Sequence, residues 1–220
     1  MTTPTMTRTV LTVDPGTLNQ ALRAVLLVGD NHRVPEDRRA FRVLVQNDAL
    51  VIEATDGTVF IRTFTPITEP AGVVMEPVMI GTWAVRMTDL VRVLDKGTPT
   101  IALPSPEHPE VTFGCGIHEA SEPVIEPDPR FAALAESVPL VITPDEKAPA
   151  VTALTPAVLQ LLADLGAENP YGQPFLLGRQ RRMGDPLVFT QAASSFDSRP
   201  WLVGLAGMNR TRRHVLNTVR

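Results

Sequence analysis

The stretch Ala40–Thr65, AFRVLVQNDALVIEATDGTVFIRTFT, constrains the fold more than any other part of the chain. Phe41, Val43 and Val45 alternate with Arg42, Leu44 and Gln46, the period of a strand with one buried face. Asn47-Asp48 then supplies turn chemistry, because both residue types tolerate positive φ, and a second apolar run follows from Leu50 to Ala54. Asp56-Gly57 repeats the device before Val59–Thr63. The expectation is a β-meander of three short antiparallel strands. Upstream, Leu18, Leu22, Val25 and Leu26 recur at helical spacing, with Asp14 placed to cap a helix, Pro15 at its first position and Gly29 at its end. The unit reads as strand, helix, then three antiparallel strands.

This unit recurs, and the recurrence sets the architecture. Thr88-Asp89 starts a second helix, Leu90, Val91 and Leu94 form its apolar face, and Gly97 ends it ahead of strands at Thr100–Leu103 and Val111–Gly114. A third helix begins at Thr155-Pro156, carries Val158, Leu159, Leu162 and Leu165, and stops at Gly166. Candidate strands Pro174–Gly178, Leu187–Thr190 and Trp201–Leu205 follow it. Between the second and third copies, Asp128-Pro129 opens a short helix through Ser137, and Val138–Thr143 reads as a strand; that segment is too short for a full unit. The prolines cluster at residues 66–77, 99–109 and 123–149, which reads as connections between the periodic segments. The long connection Glu119–Ala150 puts a domain boundary near Pro127, giving an N-terminal domain, 1–126, and a shortened C-terminal one, 127–220. The fold class is α+β. Leu18, Leu22, Val25, Leu26, Leu90, Leu94, Val158, Leu162 and Leu165 are expected to be buried, as the apolar faces of the three helices.

At 220 residues, 44% hydrophobic and 20% charged, the chain has enough apolar material for two small domains. No apolar run approaches the roughly 20 residues of a membrane span, and MTTPTMTRTV lacks the apolar core of a signal peptide, so no membrane partner is expected. Cys115 is the single cysteine, which excludes an intrachain disulfide and fits a reducing compartment such as the cytoplasm. The net charge of −4 argues against general adhesion to nucleic acid while leaving room for a basic patch on one face. Only Lys96 and Lys147 of the 20 basic residues are lysines, a bias that hints at a GC-rich coding genome.

The order of these motifs resembles a family, the DNA sliding clamps that serve replicative polymerases as ring-shaped processivity factors. The helix LNQALRAVLLV, the strand pair FRVLVQNDALVIEATDGTVF and above all Ala54-Thr55-Asp56-Gly57 are similar to the family's first half-domain. Trp83–Gly97 resembles the helix that opens its second half-domain, and Glu122–Leu134 the stretch that closes a bacterial clamp domain. Leu154–Gly166, Asp185–Phe189 and Trp201–Met208 resemble the C-terminal run. Roughly three quarters of the chain is covered, with the specificity carried by motif order. The ending Gly204-Leu205-Ala206-Gly207-Met208 lacks the family's proline, and the chain is shorter than bacterial three-domain clamps. The resemblance implies a DNA-clamp fold of repeated helix and β-meander units, and a homo-oligomeric ring, with a trimer favoured over a tetramer.

Arg23, Arg86, Arg92 and Lys96 lie on or beside helix surfaces that the apolar faces do not need. Taken singly, each is a solvated surface charge. The resemblance makes them a DNA-facing set, since clamp helices line a central hole and meet phosphates without reading bases. The tail Arg210-Thr211-Arg212-Arg213 reads either as a solvated terminus or as a phosphate-binding arm. Arg179, Arg181 and Arg182 sit in a Gly-flanked connection, where solubility and DNA contact are equally served. As a partner pocket, the resemblance implies Thr55, Gly57, Val59 and Phe60 on one side and Leu205, Gly207 and Met208 on the other. Physics alone gives Asp56-Gly57 as a hairpin turn and Phe60 and Leu205 as core.

Signals for catalysis are sparse. Cys115 and His118, with His108, make an isolated pair without a second pair of metal ligands, so a strand cysteine and surface histidines are favoured. Glu107 and Glu110 have no base, nucleophile or phosphate loop beside them, and the chain holds no Walker loop or nucleophile elbow. No enzyme, metal or cofactor is expected. The reading is a processivity factor that encircles double-stranded DNA and tethers peptides of a polymerase and a clamp loader, in a bacterial or virus-infected bacterial cell. The alternative is a clamp-like adaptor that binds peptides without enclosing DNA, and a metal-dependent hydrolase is a distant third.

Overall fold

The computed structural model describes residues 8–29, 40–81, 90–94, 97–138, 156–168, 175–178, 187–192 and 200–206. Asp14 starts the first helix: its Oδ1 accepts a hydrogen bond from Thr17 N at 2.8 Å and its carbonyl one from Leu18 N at 3.0 Å. The Thr17 N–H, which has no partner inside the helix, is satisfied in this way, and the Leu18 bond is the first i to i−4 bond of the helix. Helix α1 spans Pro15–Gly29 and buries Leu18, Leu22, Val25 and Val28 on one stripe. The strand before it, β1, is Val10–Val13.

The meander follows as β2 (Ala40–Gln46), β3 (Ala49–Thr55) and β4 (Val59–Glu69). Asn47 and Asp48 both take positive φ, 50° and 56°, the pairing that a tight hairpin turn needs. The second unit comprises β5 (Met75–Gly81), a helical turn within residues 90–94, then β6 (Pro99–Ala102), β7 (Glu110–Cys115) and β8 (His118–Ile125). Helix α2, Pro129–Ser137, comes next. The third unit is α3 (Pro156–Ala167), β9 (Leu176–Leu177), β10 (Leu187–Ala192) and β11 (Pro200–Ala206).

The strand pairing contains an internal pseudo-two-fold. β1 pairs with β4 of its own unit and with β6, the first meander strand of the second unit. β5 pairs with β8 of its own unit and with β2, the first meander strand of the first. Strands β1 to β8 therefore form a closed circuit of antiparallel pairings. β11 joins at the edge of β4, with Leu205 opposite Phe60 and Leu202 opposite Thr63, and β10 and β9 continue outward.

The main core lies on one face of this sheet. Leu18, Leu22 and Val25 of α1, Leu90 and Leu94, and Leu165 of α3 meet Phe41, Val43, Ile52, Ile61 and Phe113 there. Leu26, Val158 and Leu162 are partly buried against the same cluster. Helix α2 packs on the opposite face, where Phe131, Ala135 and Val138 meet Phe60, Met79, Val203 and Leu205.

Three sequence expectations are corrected. Met75–Gly81 and His118–Ile125 are strands where the sequence suggested connections. Prolines lie inside strands: Pro66 in β4, Pro77 in β5, Pro99 at the start of β6 and Pro123 in β8. Two of these positions tolerate a missing N–H. Pro66 falls where β11 has ended, opposite Thr63, and β1 begins, opposite Ile67; Pro77 lies at the irregularity between Val43 and Val45. Val138 is not in a strand, and the rest of the expected strand Val138–Thr143 lies outside the described residues. Among the described residues, no helix is long and apolar enough to cross a membrane.

Candidate DNA-facing helices and partner surface

Arg23 projects from the exposed side of α1. Its Nε donates to Asn19 Oδ1 at 2.9 Å, and Glu168, just past α3, brings Oε2 within 3.7 Å of it. The cation is thus shared with a carboxylate that ties α1 to α3. Arg92 is exposed on the same side of the sheet as the helical turn that carries it. The exposed side of α3 holds Leu159, Gln160, Ala163 and Asp164, with Gln160 Nε2 donating to Asp164 Oδ1 at 2.8 Å, and no basic residue. Arg86, Lys96, Arg210, Arg212 and Arg213 lie outside the described residues.

The Thr55–Val59 turn closes on itself. Asp56 Oδ1 accepts from Thr58 N at 2.8 Å, Thr58 Oγ1 at 2.7 Å and Val59 N at 2.8 Å. Thr55 Oγ1 donates to Val59 O at 2.6 Å and accepts from Gly57 N at 3.0 Å. Gly57 has φ of +84°, which a side chain would strain. Thr55, Gly57 and Val59 thus stand at the rim of the sheet as a rigid turn. Phe60 and Leu205, the cross-strand neighbours that follow on this rim, are 0% and 6% exposed because α2 lies over them. Gly207 and Met208 lie outside the described residues.

Beneath α2 is a charge network that the sequence reading missed. Glu53, fully buried, accepts from Arg42 Nη1 at 2.9 Å through Oε2 and from Arg62 Nε at 2.5 Å through Oε1. Arg62 Nη2 also donates to Ala135 O of α2 at 2.7 Å, and its guanidinium stands 5.8 Å from the Phe60 ring centroid. The signal was present: Arg42, Glu53 and Arg62 occupy the outward positions of three alternating strands and fall opposite one another in the register. A cavity of about 360 Å³ opens beside them, lined also by Leu44, Met75 and Val138.

Of the side chains weighed for metal or catalysis, Cys115 and His118 are paired across the β7–β8 hairpin, with the cysteine buried and the histidine exposed. Cys115 is buried and its Sγ donates to Val93 O at 3.5 Å, while Glu110 pairs with Arg8 at 3.6 Å. Among the described residues, no group of three or more His, Cys, Asp or Glu side chains could hold a metal ion.

No family model and no curated protein matches the sequence. Solved structures do match. A DNA polymerase III subunit beta sliding clamp from Bartonella birtlesii superposes with a TM-score of 0.55 at 12% identity, over 90% of this chain and 64% of that one. The pol III beta of Caulobacter crescentus gives 0.53 at 12% identity, over 90% and 65%. The chain has the DNA sliding-clamp fold. Within that fold, the helices of the repeated units sit on one face of continuous antiparallel sheets, as the sequence resemblance implied. The chain spans less than two thirds of the length of these sliding clamps.

Proposed function

We propose that the chain is a sliding-clamp-like processivity factor whose helix-bearing face meets double-stranded DNA and whose opposite face and rim hold peptides of a polymerase and a clamp loader. One observation carries the reading: α1, the helical turn at residues 90–94 and α3 all lie on one face of a single pairing network, so repetition of the chain presents a helix-lined surface. Arg23 and Arg92 on that side supply phosphate contacts that tolerate any sequence. Arg86, Lys96, Arg210, Arg212 and Arg213 complete the proposed set. Thr55, Gly57, Val59, Phe60, Leu205, Gly207 and Met208 form the proposed partner side, with a division into domains 1–126 and 127–220. A homotrimer in a bacterial or virus-infected bacterial cytoplasm completes the reading, and the role is that of a scaffold, not an enzyme.

The test is solution mass by light scattering together with retention on circular and linearised plasmid. A ring gives a multiple of the chain mass, stays on the circle and slides off the linear form. A monomer retained equally on both excludes topological enclosure.

A second reading, a clamp-like adaptor that never encloses DNA, is favoured by one feature. Arg23 is paired with Glu168, and the exposed side of α3 carries no cation, so the described helix surfaces have little net positive charge. The adaptor reading expects a monomer or dimer that binds apolar peptides and shows no preference for circular DNA.

A further inference from the structure

The cavity beside the Glu53 network lies at a break in the sheet. The β2–β5 register shifts between Val43 and Val45, where Pro77 lies, and residues on both sides of that shift line the cavity. Irregularities of this kind re-aim side chains and are over-represented next to active sites. Arg42, Leu44 and Gln46 line the cavity together because alternate residues of β2 share a face. Val74, 74% exposed, with Met75 and Pro77 supplies an apolar wall, and Val138, just past α2, adds to it. The charged part of the lining is unbalanced. The Arg42 and Arg62 side chains, 13% and 8% exposed, share the one buried carboxylate of Glu53, which leaves a surplus of one positive charge. Arg62 spends Nε on Glu53 and Nη2 on Ala135 O. Arg42 gives Glu53 only Nη1, so among the described residues its Nε and Nη2 have no protein partner. That side-on edge is the fork that pairs with a carboxylate.

We propose that this cavity binds a small monocarboxylate with an apolar tail. The carboxylate takes the Nε–Nη2 edge of Arg42, and the tail lies along Leu44, Val74, Met75 and Pro77. The anion neutralises the surplus charge, and a charge-assisted pair in a largely buried setting is stronger than the same pair in water. A volume of about 360 Å³ lies within the ordinary range for a small-ligand site. Glu76 and Glu136, both exposed on the lining, set the charge limit. They repel a second negative charge, so phosphorylated and dicarboxylate ligands are disfavoured. None of the described residues proposed for DNA or for partner peptides lines the cavity, so the site is additional to the clamp reading and does not depend on it.

The probe is sodium octanoate, titrated into the full chain below its micelle concentration. Nuclear magnetic resonance follows the Arg42 Nε–H and the methyl groups of Leu44, Val74, Met75 and Val138. Saturable shifts at these groups are expected. Octanol lacks the charge, acetate lacks the tail and octyl phosphate carries extra charge, so each should bind at least about tenfold more weakly. Arg42→Gln should lower octanoate affinity about tenfold and leave octanol unchanged. Because that variant also disturbs Glu53, Val74→Glu is a second one, at a side chain exposed enough to leave the fold intact. Its added negative charge should weaken octanoate about fivefold and spare octanol. No saturable shift, shifts confined to residues outside the cavity, or octanol or acetate binding as tightly as octanoate overturns the proposal. Unchanged octanoate affinity in folded Arg42→Gln and Val74→Glu chains overturns it as well.

Discussion

Glu53 and Arg62 face each other across the β3–β4 register with Oε1 and Nε 2.5 Å apart, and Arg42 takes the second carboxylate oxygen at 2.9 Å. The carboxylate is fully buried and both guanidinium groups are largely so. Removing one member of such a network strands the others in a medium that solvates charge poorly. Glu53→Ala is expected to destabilise the chain by about 3–5 kcal/mol, and Arg42→Ala, at the more open end, by about 1–3 kcal/mol. Urea denaturation followed by circular dichroism checks both values. A Glu53→Ala midpoint equal to that of the wild type would remove the network from the stability of this face.

Gly204 of β11 lies beneath the Phe189 ring. A Cβ there would stand 2.3, 2.7 and 2.8 Å from three ring carbons, distances that require the ring or the strand to move. Phe189 is fully buried and edge-on to Phe175, so the ring has little room. Gly204→Ala is expected to cost about 1–3 kcal/mol through overpacking. Phe189→Leu in the same chain should recover part of that loss, because the smaller side chain vacates the contact. Thermal melts of the single and double variants read the coupling directly, and additive losses in the double variant would rule out the steric account.

The helices and the first meander were legible because their periodicity and turn chemistry act locally. Asp14, Pro15 and Gly29 bound α1, and Asn47-Asp48 and Asp56-Gly57 bound the strands, through interactions that span a few residues. Strands β5 and β8 were not legible, because Pro77 and Pro123 argue against a strand unless the pairing register that excuses them is known. The site shows the same division. Phe60 and Leu205 were assigned to two sides of one pocket by the family resemblance, and the register sets them opposite each other. That α2 covers them was invisible, since the contact of Phe131 with Phe60 joins residues 71 positions apart in the chain.

Asp56 holds the turn that precedes Phe60 through three hydrogen bonds to Thr58 and Val59. Asp56→Ala removes all three acceptor contacts while leaving Gly57 its positive φ. The expected cost is about 1–2 kcal/mol, limited because the freed donors near the surface regain water. Asp56→Asn keeps the side-chain oxygen and should lose less. Nuclear magnetic resonance of the Thr58 and Val59 amides is the measurement: loss of their protection in Asp56→Ala, with β3 and β4 unchanged, is the expected result.

Arg23 and Glu168 give the proposed DNA face its sharpest test. The Nε–Oε2 separation of 3.7 Å means that the carboxylate offsets the cation on the side where phosphates would lie. The pair is partly exposed, so its own contribution to stability is small, about 0–1 kcal/mol, and changes in folding should not mask changes in binding. Glu168→Gln leaves Arg23 free to meet phosphate and should strengthen retention on closed circular DNA at low salt. Arg23→Glu should weaken it, and Arg92→Glu independently so, each lowering the salt slope of binding by about one unit. Retention measured against salt concentration for the three variants separates the two proposed functions. Opposite shifts in Glu168→Gln and Arg23→Glu place α1 against the phosphates, whereas three superimposable salt curves take the helix face out of DNA binding and leave the adaptor reading.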